Sequence, residues 1–110
     1  MVQYSLDQGF AALADPTRRG ILERLGRGEA SISDLAGAFD MTLTGMKKHV
    51  SILEEAGLVL TEKRGRVRVC RLGPRGLAAE SAWIDSYRQM LEQRLDRLGG
   101  FLQRTKGDRS

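Results

Sequence analysis

A mainly α fold carrying one β-hairpin, in the α+β class, is what three stretches of this 110-residue sequence predict. The first is TLTGMKKHVSILEEAG, Thr42 to Gly57, which reads as one capped helix with a small, cationic outer face. The second is LVLTEKRGRVRVCRL, Leu58 to Leu72, which reads as two extended runs around Arg64-Gly65-Arg66. The third is the short helical pattern before them, joined to the capped helix by a turn of a few residues. Two helices across a tight turn, then a hairpin tipped with arginines, is the order of a winged helix-turn-helix. In that arrangement a recognition helix suits a DNA major groove and a wing suits the neighbouring backbone or minor groove.

Tyr4 to Leu13 has Leu6, Phe10 and Leu13 at helical spacing and predicts a short first helix, weakened by Gly9. Asp15-Pro16 predicts a sharp start to the second, with Asp15 as N-cap and Pro16 at the first helical position. Ile21, Leu22 and Leu25 form its buried stripe, Arg18, Arg19, Glu23 and Arg24 its solvent side, and Gly26 and Gly28 its end. Ser33 reads as the next N-cap, with Leu35, Ala36 and Phe39 on a third helix of about two turns. Asp40-Met41 turns the chain into the fourth helix, capped by Thr42 and ended by Gly57. There Leu43, Met46, Val50 and Leu53 predict a buried face. At ~100° per residue the opposite face carries Thr44, Gly45, Lys48, Ser51 and Ile52, with Lys47 and His49 on the flanks. In the hairpin, Val67, Val69 and Arg71 alternate with Arg66, Arg68 and Cys70, and Gly65 supplies the positive φ of a tight turn.

Pro74 and Gly76 end the second strand, and from Leu77 the chain reads as helix for about six turns. Ile84, Tyr87, Leu91, Leu95 and Leu98 make a stripe that Trp83, Met90 and Leu102 widen. Gly99-Gly100 would cost about 2 kcal/mol inside a helix, which predicts an end or a kink there. Since the preceding elements already make a complete unit, a second copy of the chain is the expected cover for this stripe. The predicted homodimer interface is Leu6, Phe10, Trp83, Ile84, Tyr87, Leu91, Leu95 and Leu98. The organisation expected is a single domain over residues 1–104, with dimerisation helices at both ends, and a frayed tail over 105–110.

The chain has 18 basic and 14 acidic residues, a net of +4. Residues 1–41 hold four basic and six acidic residues, residues 42–72 seven and three, and residues 73–110 seven and five. The helix-and-hairpin segment alone therefore carries a charge equal to the total, as electrostatic capture of nucleic acid requires. Within the fourth helix the cations take the first two turns and Glu54 and Glu55 the last, the reverse of what the helix dipole favours. A single cysteine excludes an internal disulfide and suits a reducing cytoplasm. No apolar run is long enough for a membrane span or signal peptide. With no second histidine, phosphate-cradling glycine loop or hydrolase serine motif, an enzyme is not expected.

ALADPTRRGILERL (Ala12 to Leu25), SISDLAGAFDMTLTGMKKHVSILEEAGLV (Ser31 to Val59) and RGRVRVCRL (Arg64 to Leu72) together resemble the ArsR family of bacterial winged-helix repressors. The likeness covers most of the chain and is greatest to the branch without metal sites, whose dimerisation helix WIDSYRQMLEQRLDRL (Trp83 to Leu98) matches. The resemblance implies a cytoplasmic homodimeric repressor on double-stranded DNA. Its operator would be an inverted repeat, often in its own promoter, released on a signal. The sequence departs from the family where Lys47, rather than a small residue such as serine, precedes Lys48-His49.

The residues expected at DNA are Thr42, Thr44, Gly45, Lys47, Lys48, His49, Arg64, Arg66 and Arg68. Thr44, Gly45 and Lys48 fall nearest the bases, Thr42, Lys47 and His49 nearer phosphate, and Arg64 and Arg66 of the wing along the backbone or the minor groove. A regulatory metal is not expected, because a tetrahedral site needs about four ligands and the chain offers one cysteine and one histidine, with neither a CxxC nor an HxxxH. No other cofactor is read. An inducer pocket would lie between helices and leave no motif, so the inducer stays unnamed. Two rivals remain: a thiol-responsive repressor acting through Cys70, and a winged-helix protein-interaction module without DNA binding. The second would have no need to gather Lys47, Lys48, Arg64, Arg66 and Arg68 on adjacent elements.

Overall fold

The computed structural model describes residues 5–105, the last six by their backbone alone. The described chain has five helices and a three-stranded antiparallel sheet, in the order α1 (Leu6–Leu13), α2 (Pro16–Leu25), β1 (Ala30–Ser31), α3 (Ile32–Ala38), α4 (Leu43–Glu55), β2 (Val59–Arg64), β3 (Val67–Leu72) and α5 (Ala78–Thr105). The strands lie in the order β1-β3-β2. Contacts divide the chain into two compact units, Met1–Ala78 and Ala79–Ser110. No described helix is long and apolar enough to cross a membrane.

In the first unit the local signals act mostly as read. Ser5 and Gln8 form a capping box on α1, and the Arg18 N–H donates to the Asp15 carboxylate at the start of α2. Tyr4, placed in the first helix by spacing, lies outside the described residues. Arg19 lies on the solvent side of α2 as expected, but Arg18 is half-buried, and both reach back to the end of α1. Arg18 Nε and Nη2 donate to Ala12 O and Ala11 O at 2.8 and 3.0 Å, and Arg19 Nη1 donates to Leu13 O at 2.7 Å. They cap the end of α1, where Ala11 O also accepts the Ala14 N–H. The cap of α3 is Ser31, not Ser33. Pairing with β3 holds Ser31 extended (φ −75°, ψ 160°), the conformation an N-cap needs, and Asp34 closes a capping box around it.

α3 and α4 end alike. Met41 N–H donates to Ala36 O across Asp40 at φ +53°, and Leu58 N–H donates to Leu53 O across Gly57 at φ +79°. Both are Schellman closures, one on aspartate and one on glycine. Ile21, Leu25, Leu35, Met46, Val50, Leu53, Val59 and Cys70 form the core between α2, α3, α4 and one face of the sheet. Leu43, expected on that buried face, is 45% exposed, because the first turn of α4 runs past the core's edge.

The hairpin joins Arg64 and Val67 through Gly65-Arg66, with Gly65 at φ +64° in the first position, where a II′ turn requires it. Its open end is locked to α4. Gly73 N–H donates to Leu58 O at 2.8 Å, and Arg75 Nε donates to Ala56 O at 2.8 Å. A Cβ at residue 73 would stand 2.5 Å from Gly57 O, so only glycine fits.

The second unit is α5 alone, and it runs to Thr105 without ending at Gly99-Gly100. Gly100 and the expected stripe residue Leu102 lie among the residues described by backbone alone, and most of the tail expected to fray is outside the described residues.

Gly73→Ala should cost about 1–3 kcal/mol, since backbone must move to admit the methyl group. Gly37→Ala, at an exposed helical site with nothing within 4 Å, should instead stabilise by up to about 1 kcal/mol. Urea unfolding of the two variants beside the parent checks both signs.

Candidate nucleic-acid interface

α4 offers Thr44, Lys48, Ser51 and Ile52 to solvent, with Lys47 exposed beside them. Neither lysine has an ion-pair partner among the described residues. Thr42 is committed locally, since its Oγ1 accepts the Gly45 N–H at 3.0 Å. A Cβ at Gly45 would stand 3.2 Å from that hydroxyl and 3.3 Å from Met41 Cε, so its small size serves the cap. His49 is turned away from the exposed face, toward Asp15 and Arg18.

The hairpin sorts its charges by pleat. Residues paired across antiparallel strands share a face, and the face alternates along each strand. Lys63 pairs with Arg68 and Thr61 with the buried Cys70, so these side chains lie on the face toward the helices. Arg64 pairs with Val67 and Glu62 with Val69 on the other face. There Arg64 donates to both carboxylate oxygens of Glu29 at 2.9 and 3.1 Å and to Glu62 at 3.1 Å, while Arg71 stands 3.7 Å from Glu62. The Arg64 guanidinium holds the Glu29 carboxyl below its ordinary range. Of the three wing arginines named from sequence, Arg64 is thus neutralised on the far side, and Arg66 and Arg68 remain on the helix side.

Between α4, the start of α3 and the helix-side face of the wing lies an open groove of about 600 Å3. Lys47, Lys63, Arg66 and Arg68 line it, with Glu54 as its only acid and Ser31, Ser33 and Ser51 among its hydroxyls. Glu54 is occupied: Arg68 Nη1 donates to Thr61 Oγ1 at 2.9 Å, which donates to Glu54 Oε2 at 2.9 Å. This relay braces α4 against both strands. Lys63 was missed in the sequence, although the hairpin register around Gly65 would have found it by placing it opposite Arg68. Nothing in the local sequence signals that Glu29, 35 residues away, neutralises Arg64.

A concave cationic surface between a helix and a wing is the shape of a nucleic-acid-binding domain, and known proteins match it. A family model described as a helix-turn-helix domain matches residues 13–62, from the end of α1 through α4 into β2. The chain is similar to the HTH-type transcriptional regulator Rv2034 of Mycobacterium tuberculosis, 37% identical over 83 residues covering 76% of this chain and 78% of that one. The crystal structure of an ArsR family transcriptional regulator is 45% identical, covers 84% of this chain and 97% of that one, and has a TM-score of 0.75. The homodimeric winged helix-turn-helix DNA-binding domain Mb0332 from Mycobacterium bovis is 28% identical over 81% of this chain and 91% of that one, with a TM-score of 0.61. These relatives are regulators rather than enzymes. The chain belongs to the ArsR family of winged helix-turn-helix transcriptional regulators.

Proposed function

We propose that the protein is a cytoplasmic repressor that binds an inverted-repeat operator, its own promoter being the first place to look, as a homodimer without a metal cofactor. The observation that carries the DNA reading is the segregation of charge: Lys47, Lys63 and Arg66 line one concave side, with Lys48 exposed beside it on α4, and have no carboxylate partners among the described residues, while Arg64 is neutralised on the other. α4 enters the major groove with Thr44, Gly45 and Lys48 toward the bases. Lys47, Lys63, Arg66 and Arg68 take the phosphates, with Thr42 at the edge. Phosphate contacts position the protein and base contacts specify the sequence. Two-fold symmetry would set the half-sites about 34 Å apart.

The dimer reading is supported by α5 and by the homodimeric relative. Trp83, Ile84, Tyr87, Leu91, Leu95 and Leu98 are each 41–62% exposed along one helix, and the Trp83 and Tyr87 rings stack with centroids 5.6 Å apart. A stripe of this kind needs cover, and a second copy supplies a matching one. Leu6 and Phe10 of α1, both half-buried, offer the partner a further apolar contact.

The thiol-responsive alternative has less support. Cys70 is fully buried in the core, and burial, with Glu54 adding to it, pushes its thiol up to about 11. At pH 7 the reactive thiolate is then on the order of 10⁻⁴ of the total.

Three outcomes follow. On a duplex selected by the protein from a random pool and on a scrambled control, Arg66→Ala should weaken both alike and flatten the salt dependence by about one phosphate contact. Arg64→Ala should leave that slope nearly unchanged, and Lys48→Ala should shrink the gap between the two duplexes by about 1–3 kcal/mol. Absence of salt-dependent binding to either duplex would instead favour the protein-interaction module. Light scattering should find a dimer at micromolar concentration that Leu91→Glu or Leu95→Glu splits, by burying an unpaired charge; a monomeric parent would sink the dimer. A thiol reagent at pH 7 should label Cys70 in urea and leave the native protein unlabelled; fast native labelling would revive the thiol switch.

A further inference from the structure

The apolar contacts of α4 seat it on the core through Met46, Val50 and Leu53. Hydrophobic burial of that stripe is itself non-directional, so polar contacts at its edges add to what sets the rotation of the helix. A roll of about 20° moves a side-chain tip 5–6 Å from the axis by about 2 Å, enough to break a hydrogen bond to a base. Two side-chain contacts oppose that roll: Thr61 Oγ1 donates to Glu54 Oε2 at the last turn of α4, and His49 acts nearer its exposed N-terminal half. His49 Nδ1 lies 3.4 Å from Arg18 Nη1 and 4.0 Å from Asp15 Oδ2, with the imidazole only 20% exposed. The guanidinium is itself immobilised, because Nε and Nη2 are spent on Ala12 O and Ala11 O and the Arg18 N–H is held by Asp15. Nη1 is the donor left to face α4. With Nη1 donating, Nδ1 is the lone-pair nitrogen and the ring proton sits on Nε2.

We infer that His49 is a positioning residue: it fixes the rotation of α4 against the α1–α2 corner through Arg18, and so determines which side chains meet the bases, without touching phosphate. The inference rests on the reading of α4 as the helix that enters DNA. It differs from a phosphate contact, which would act equally on every sequence and add to the salt dependence.

The test is binding of the full chain to the selected and scrambled duplexes across a salt series. His49→Leu should weaken the selected duplex about tenfold and leave both salt slopes and the scrambled duplex unchanged. His49→Asn should recover most of the loss, since its amide oxygen can stand in for Nδ1 as acceptor. Arg18→Met, which lies on α2, should reproduce the loss of His49→Leu, and the double variant should be no worse than either single one. Should His49→Leu fail to fold, His49→Asn and Arg18→Met carry the comparison. A salt slope shallower by about one, with equal loss on both duplexes, would make His49 a phosphate contact and overturn the inference. Unchanged affinity, or additive losses in the double variant, would overturn it too. If the parent protein binds neither duplex, the DNA reading fails first and this inference with it.

Discussion

The geometry that α4 and the hairpin share depends on a backbone contact at their joint. Gly73 N–H donates to Leu58 O, and residue 73 comes so close to Gly57 O that no side chain fits between them. Gly57, with its positive φ, turns the chain out of the helix, and Gly73 receives it at the other end of the hairpin. Arg75, reaching back to Ala56 O, closes the same joint from the side. A hairpin held only at its open end would swing at the tip, and the Glu54–Thr61–Arg68 relay adds a second attachment two residues along β2 from Val59. The groove between helix and wing is defined by these contacts, and its cationic groups are only as well placed as they are.

Charge is then distributed by the pleat of the sheet. The two faces of the wing carry similar numbers of basic groups, but the far face also carries Glu62 and receives Glu29 from the residue before β1. Individually such exposed pairs are worth little, about 0–1 kcal/mol. Their consequence here is electrostatic direction: positive potential is cancelled behind the wing and left standing on the side that α4 shares. A protein capturing DNA gains from this, because misoriented encounters are less favoured.

Most of the fold was legible because its signals are local. Asp15-Pro16, Thr42, Gly57 and Gly65 each enforce a conformation that neighbours need not supply, and all four act as read. What escaped was set by distant partners. β1 is two residues long and exists only because β3 lies beside it. Ser31 caps α3 in place of Ser33 because it is held extended by β3 and Asp34 completes its capping box. The exposed face of α4 followed from helical period, but the period cannot say that His49, on its flank, turns toward α2 instead of the exposed face. Nor does a count of arginines reveal that Arg64 already has two carboxylates. The continuity of α5 through Gly99-Gly100 shows propensity outweighed by the rest of a 28-residue helix.

The basic residues themselves divide by chemistry, which explains why total charge was a coarse guide. The three described lysines, Lys47, Lys48 and Lys63, are all exposed on or beside the groove face. Many of the arginines are occupied in bracing the chain: Arg18, Arg19, Arg24 and Arg75 donate to backbone carbonyls, Arg64 to two carboxylates, and Arg68 to Thr61. A planar guanidinium with five donors can hold several acceptors at once, as Arg18 does at the end of α1 while still presenting a hydrogen to His49. A lysine ammonium at the end of a flexible stem could not span those acceptors, but it adapts readily to a phosphate whose position varies with the DNA sequence. Arginine therefore builds the frame that aims α4 and the wing, and lysine, with Arg66 at the turn, supplies much of the charge they aim.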